Sequence, residues 1–268
     1  MRKFDLATVA GLVAAVGFIL RGNHLEGGHL ASIVQPTAAL IVFGGTLGSV
    51  LVSFPMSSIA AAVKGLRDLF RDPPEDPAQR IDEIMRYAQL ARKDGILALE
   101  QEVHQVEDSY LKTALMMVID GFDSATIKEA LEIELAEREE QGEIPAKVFE
   151  CAGGYSPTIG IIGAVLGLIH VMSNLTDISK VGAGIAVAFV ATIYGVAAAN
   201  IVFLPAANKL KVKHRQRMIL HEMTVLGALG VQQGQNPRAI VARLAPFAHG
   251  HEVSHAKGKE PQKPRAAA

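Results

Sequence analysis

Four stretches of the chain, 4–21, 30–54, 155–173 and 181–206, are apolar enough and long enough to cross a bilayer. The last three contain no Asp, Glu, Lys or Arg. A hydrocarbon core about 30 Å thick needs roughly 20 residues of helix, a length each run approaches or exceeds. The first run carries Asp5 at its edge and follows Arg2 and Lys3, as a secretory leader would. No small-x-small cleavage site follows it and a second apolar run comes directly after, so it is read as a span.

The net charge of the chain is −1, but its distribution is uneven. Residues 56–152 hold 11 Lys+Arg against 21 Asp+Glu, and residues 207–268 hold 11 against 3. The links 22–29 and 174–180 together carry one Lys and two acids. Basic residues beside span ends mark the cytoplasmic side, and Arg2, Lys3, Lys64, Arg67, Lys147, Lys209, Lys211 and Lys213 all fall on one side. The topology expected is an inner-membrane protein with both termini in the cytoplasm and two short outer loops. Its acidic inner loop and basic tail carry complementary charge.

Between spans two and three, Ile81, Ile84, Met85, Ala88 and Ala91 recur at helical spacing, and Ile127, Leu131 and Leu135 form a second stripe. Asp123 or Ser124 can cap the helix that carries the second stripe. "RDPPEDP" (71–77) breaks an amphipathic stretch at 58–70, and Gly95 closes a helix over 79–94. After span four, Leu210, Ile219, Met223, Leu226 and Leu229 continue the helical pattern up to "GQNP" (234–237). No strand pattern of useful length occurs. The fold class is therefore an all-α integral membrane protein, four transmembrane helices with a helical cytoplasmic domain. Residues 1–55 hold spans one and two, 56–152 the inner domain, 153–206 spans three and four, 207–245 a helical extension, and 246–268 a disordered tail. That tail includes His249, His251 and His255, read as polar surface rather than a metal site.

Catalytic arrangements are missing: no Gly-rich loop leads into Lys-Ser/Thr, and there is no zinc-ligand spacing and no GxSxG elbow. The lone cysteine, Cys151, is read as a buried thiol. The chain is not expected to be an enzyme, to hold a cofactor or metal, or to bind nucleic acid. Its spans are more informative. Gly160, Gly163, Ala164 and Gly167 fall on one face of span three, and Gly184, Ala188, Ala191, Thr192, Gly195 and Ala199 on one face of span four. Small residues let membrane helices approach closely; the two faces can pack on each other or receive a partner, and a partner is the expectation here. No span holds a carboxylate of the kind an ion carrier places near midplane. Only His170, towards the outer end of span three, could titrate there. Pro157 is read as lying near the start of span three, and Pro205 as a kink near the inner end of span four.

"GGYSPTIGIIGAVLGLIHVMSNL", "ATIYGVAAANIVFLPAANKL", "VFGGTLGSVLVSFP" and "MVIDGFDSATIKEALEIELAERE" resemble signatures of the MotA/PomA family of flagellar motor stator proteins, and the likeness runs from residue 1 to about 240. The resemblance implies a ring of five subunits around two copies of a MotB-like single-span partner. That partner would bear the ion-binding Asp and a peptidoglycan-binding domain, so the small faces would lie against its helices. Within "RKDGILALE", Arg92 and Glu100 fall on positions that engage the rotor protein FliG. Pro157 and Pro205 fall on the coupling prolines, and Thr192 on a threonine near the ion path. Sodium-driven relatives carry threonine where this chain has Ala164 and Ala191, which favours protons over sodium. The nearest rival is an ExbB/TolQ-like force generator, whose relatives typically have three spans.

Overall fold

A computed structural model describes residues 5–70 and 76–256, with side chains described as far as residue 248. Arg2, Lys3, most of the 71–77 break and the tail histidines therefore lie outside the described side chains. The chain divides into two units, Met1–Asp72 with Gln141–His214 and Pro73–Glu140 with Arg215–Ala268. No strand occurs among the described residues.

In the first unit, α1 (Leu6–Leu25) starts at Asp5, whose carboxylate accepts the Thr8 N–H at 3.2 Å. It buries none of its own residues, leaving its apolar surface for lipid or neighbouring helices. Helix α2 (Pro36–Ser53) opens on a proline, the residue best suited to a first helical turn. It widens to a π-helical stretch at Leu40–Gly44. Phe54 is extended (φ −133°, ψ 144°) because Pro55 disfavours helix before it, so the chain turns at once into α3 (Met56–Leu69).

Among the described residues, four helices are long and apolar enough to cross a membrane: α1, α2, and the two long helices described next. The core of this unit is built from small residues. Ala38 and Val42 meet Val190 and Ala191, while Leu69, Ala146, Ala206 and Leu210 form a second cluster. One exposed ion pair joins the acidic loop to the basic tail, Lys211 with Glu150.

Two long helices contribute to both units. Helix α7 runs Ser124–Met172 and α8 runs Ile178–Gln232. Asp123 is the residue that caps α7, accepting the Ala125 and Thr126 N–H groups at 2.9 Å; Ser124 instead bonds Gln232. In α8 a π-helical stretch, Ala198–Phe203, ends just before Pro205. A proline cannot donate to the carbonyl four residues back and its ring crowds that oxygen, and a wider turn accommodates both effects. The irregularity expected at Pro205 takes this form. The placement of Pro157 near a helix start is corrected, because α7 continues through both Pro145 and Pro157. Local propensity disfavours this, but packing along one face holds the helix together.

The second unit contains α4 (Pro77–Asp94), α5 (Leu99–Val103), α6 (Ser109–Ile119), the start of α7, the end of α8, and α9 (Pro237–Ala256). Helix α9 continues through the first part of the segment expected to be disordered. Gly95 ends α4 with φ +88°, a conformation a side chain would strain. The core joins Ile84, Tyr87 and Ala88 to Leu111, Leu115, Ile127, Leu131 and Met223, which includes members of the stripes read from sequence.

A polar cluster lies within this core. Arg80, its side chain 0% exposed, pairs with Asp108 and donates to Thr224 Oγ1 at 3.2 Å. Asp108 also caps α6 through the Tyr110 N–H at 2.9 Å, and Tyr110 donates to Leu131 O at 2.7 Å. His221 stacks obliquely on Tyr110, ring centroids 4.6 Å apart. Burial pushes the His221 imidazole down to about 4; the Asp108 charge opposes this, and the Arg138 and Arg80 charges reinforce it.

A histidine with a depressed folded-state pKa leaves the unfolded chain binding more protons. Stability is therefore lost as pH falls from about 6.5 to about 4. Allowing for partial exposure, the loss is ~1–2 kcal/mol. Thermal unfolding of the full chain in detergent, followed by tyrosine near-UV signal, should show this slope. The variant His221→Phe should flatten it over that window.

Candidate functional site

Spans three and four lie against each other along the two small faces. A Cβ built on Gly160 would stand 2.9 Å from Ala191 O and 3.2 Å from Gly195 Cα. One on Gly167 would stand 2.8 Å from both Ala188 N and Gly184 O, and one on Gly195 2.6 Å from Ser156 O. Gly163 faces Ala191 and Ile41. Ser156, fully buried, donates its hydroxyl to Gly195 O at 3.0 Å, a polar tie in the thinnest part of the contact.

Within the chain, the small faces meet each other. Gly160, Gly163, Gly167, Ala188, Ala191 and Gly195 pack the chain's own spans on each other, with Ile41 of α2 reaching Gly163. The reason is mutual shape: two faces thinned at matching spacing bring backbones together, and membrane helices associate through such contact.

The remaining site residues flank this contact. Ala164 and Pro157 are half-buried and Pro205 is exposed. Thr192 is half-buried and donates to Ala188 O at 3.1 Å within its own helix. Ala191 is 0% exposed, in the core cluster with Ala38, Val42 and Val190. Beside the contact α7 leaves Ile161, Val165, Leu168 and Ile169 exposed, and α8 leaves Phe189, Ile193 and Val196 exposed. His170 is exposed, and Cys151 is half-buried rather than buried as expected.

Tyr194 was not singled out by sequence. Its hydroxyl donates to Ile33 O at 2.7 Å and accepts from Gln35 N at 3.3 Å, and its ring stacks on Phe43. It thereby ties the link before α2 to span four. A lone phenol inside a charge-free run was the available signal, since a buried hydroxyl in lipid must find a partner.

In the second unit Arg92 lies in the last turn of α4 and Glu100 in α5, on either side of the Gly95 turn. Both are exposed, and neither forms an ion pair among the described residues. Nearby charges behave differently: Arg86 pairs with Glu102 at 3.1 Å and Arg138 with Glu134 at 2.6 Å. Leu97, between the two free charges, is an exposed apolar side chain.

The MotA/TolQ/ExbB proton channel family matches residues 102–223, and the motility protein A N-terminal family matches residues 9–95. Motility protein A of Helicobacter pylori is 38% identical over 242 residues, covering 90% of this chain and 93% of the relative. The chain belongs to the motility protein A family. Chemotaxis protein PomA of Vibrio alginolyticus is 34% identical, over 90% of this chain and 94% of its own length. A chain of the C. jejuni MotAB structure superposes with TM-score 0.86 at 32% identity, over 98% of this chain and 99% of that one. A chain of the flagellar MotAB stator complex from Bacillus subtilis gives 0.84 at 33% identity, over 92% and 98%. Members of this family are stator ion-channel subunits rather than enzymes.

Proposed function

We propose that this chain is a stator subunit of the bacterial flagellar motor, which with a MotB-like partner couples ion flow across the inner membrane to torque on the rotor protein FliG. The observation that carries the reading is the end-to-end likeness to MotAB chains, at 32–33% identity, in a four-span protein whose last three apolar runs hold no carboxylate. The ion-binding Asp then belongs to the partner's helix, and the partner grips peptidoglycan outside the membrane. Five copies of this chain surround two partners within the lipid, with both termini in the cytoplasm. Because the glycine faces are filled by the chain's own spans, the surface offered to the partner is their exposed flank near Ala164, Thr192 and Ile193. The transported ion is the proton: alanines at 164 and 191 supply no hydroxyl to a sodium ion.

Torque passes to the rotor through Arg92 and Glu100, free charges flanking an exposed Leu97. Pro157 and Pro205 mark the places where the long helices can bend. The ExbB/TolQ-like alternative is less well supported, since four spans and a full-length stator likeness are present here.

The test uses a strain lacking this gene and every other stator gene. It should build full-length flagella that do not turn, and the wild-type chain with its partner should restore swimming. Arg92→Glu with Glu100→Lys should cut swimming speed at least severalfold while membrane levels stay near wild type. Swimming without any stator gene would remove the proposal and bring the ExbB/TolQ-like reading forward.

A further inference from the structure

The first unit also holds a charged cluster at the start of α1. Asp5 is 6% exposed, yet it is ionisable and precedes a transmembrane helix. Its Oδ2 receives Lys209 Nζ at 2.8 Å and Lys213 Nζ at 2.9 Å, its Oδ1 receives the Thr8 N–H, and its own N–H donates to Phe70 O at 3.1 Å. Lys213, with a side chain 5% exposed, also donates to Asp68 O at 3.1 Å and Leu69 O at 2.9 Å. An ammonium has three N–H donors, and among the described residues three acceptors stand within 3.1 Å of this one. The two carbonyls belong to the last turn of α3, where helical carbonyls lack intrahelical partners and the helix end is electronegative. One ammonium thus binds the start of α1 and the end of α3 to α8.

The register of the two lysines gives the cluster a functional meaning. Residues 205, 209 and 213 are spaced four apart, so Lys209 and Lys213 lie one and two turns beyond Pro205 on the same face of α8. A bend at Pro205 would turn both lysines relative to span four. A surface ion pair would slip under such a movement, whereas a desolvated, fully bonded one holds its partners.

We infer that Asp5, Lys209 and Lys213 form a clasp that makes α3 and the start of span one move as one body with the inner end of span four. They are positioning residues for the coupling between ion passage and torque. The inference rests on the stator reading above.

The test uses the full complex in nanodiscs and in cells. Lys213→Met keeps the stem and removes the charge, Lys213→Arg keeps the charge, and Asp5→Asn keeps the Thr8 cap. Amide exchange over residues 60–69 should rise roughly tenfold in Lys213→Met and Asp5→Asn and stay near wild type in Lys213→Arg. In cells, torque per membrane-assembled complex should fall by roughly fivefold in Asp5→Asn, since misplacement far from a working site can cost this much or more. Lys209→Met, at a third-exposed and less buried position, should lower torque in the same direction should Lys213→Met fail to assemble. Unchanged exchange in both variants overturns the clasp, as does torque that falls only in proportion to assembled complex. If the wild-type complex itself gives no torque in a stator-free strain, the stator reading fails, and the exchange measurement alone decides whether the clasp exists.

Discussion

Gly195→Val should leave almost no assembled complex in the membrane, whereas Gly182→Val should accumulate like the wild type. The contrast follows from where each new side chain would go. The Cβ at 195 would stand 2.6 Å from Ser156 O and 3.0 Å from Gly160 Cα, both backbone atoms of a facing helix that cannot move aside singly. At Gly182 nothing lies within 4 Å. Overpacking typically costs ~1–3 kcal/mol in a core that can adjust, and two helix backbones in contact adjust less. Gly167→Ala should behave as Gly195→Ala does, with milder loss than valine. Immunoblots of membranes and native gels check this. Were the glycine face reserved for a partner helix, the same variants would leave the chain folded and abundant and lose only the partner. A normal level of Gly195→Val chain lacking its partner would therefore restore that arrangement.

Asp108→Ala should be the most damaging single change in the second unit. It removes the carboxylate from an Arg80 side chain that is 0% exposed and strips the cap from α6. Breaking a buried pair by removing one partner costs ~3–5 kcal/mol, and here the loss should fall towards the lower end because Glu83 stays 3.7 Å from the Arg80 guanidinium; losing the cap adds ~1 kcal/mol. Arg80→Met together with Asp108→Ala should cost less than the sum of the two single changes. Thermal unfolding of the purified chain in detergent measures all three, and additive losses would show that the two side chains act independently.

The bilayer makes the spans legible: four uninterrupted apolar runs leave few alternatives, and Gly95, Ile84, Ile127 and Leu131 take the roles their spacing announces. The occupants of faces are harder to read. Spacing identifies the small stripe on each of spans three and four, but a stripe that fits a partner also fits its twin, and only geometry separates the two. Pro157 illustrates a different limit. The local rule for proline disfavours a helix interior, and a long packed helix overrides it. Charges mislead most. Lys209 and Lys213 read as markers of the cytoplasmic side, yet both neutralise Asp5, a residue that looked like the frayed edge of an apolar run. Arg80 sits among charges opposite an apolar stripe, where solvation is the default, and its partner Asp108 lies 28 residues along the chain. Arg92 and Glu100 are proposed for the rotor contact only through the family pattern, since nothing in their own stretch separates them from Lys93 or Asp94.

The measurement that bears most directly on the account is rotation of a bead on a single flagellar motor. The strain should carry this chain and its MotB-like partner as the sole stator set, in sodium-free medium. Rotation should begin on expression, rise in discrete steps as complexes join, and stop when a protonophore collapses the gradient. A motor that stays still, with full-length flagella and both proteins assembled in the membrane, would contradict the stator account.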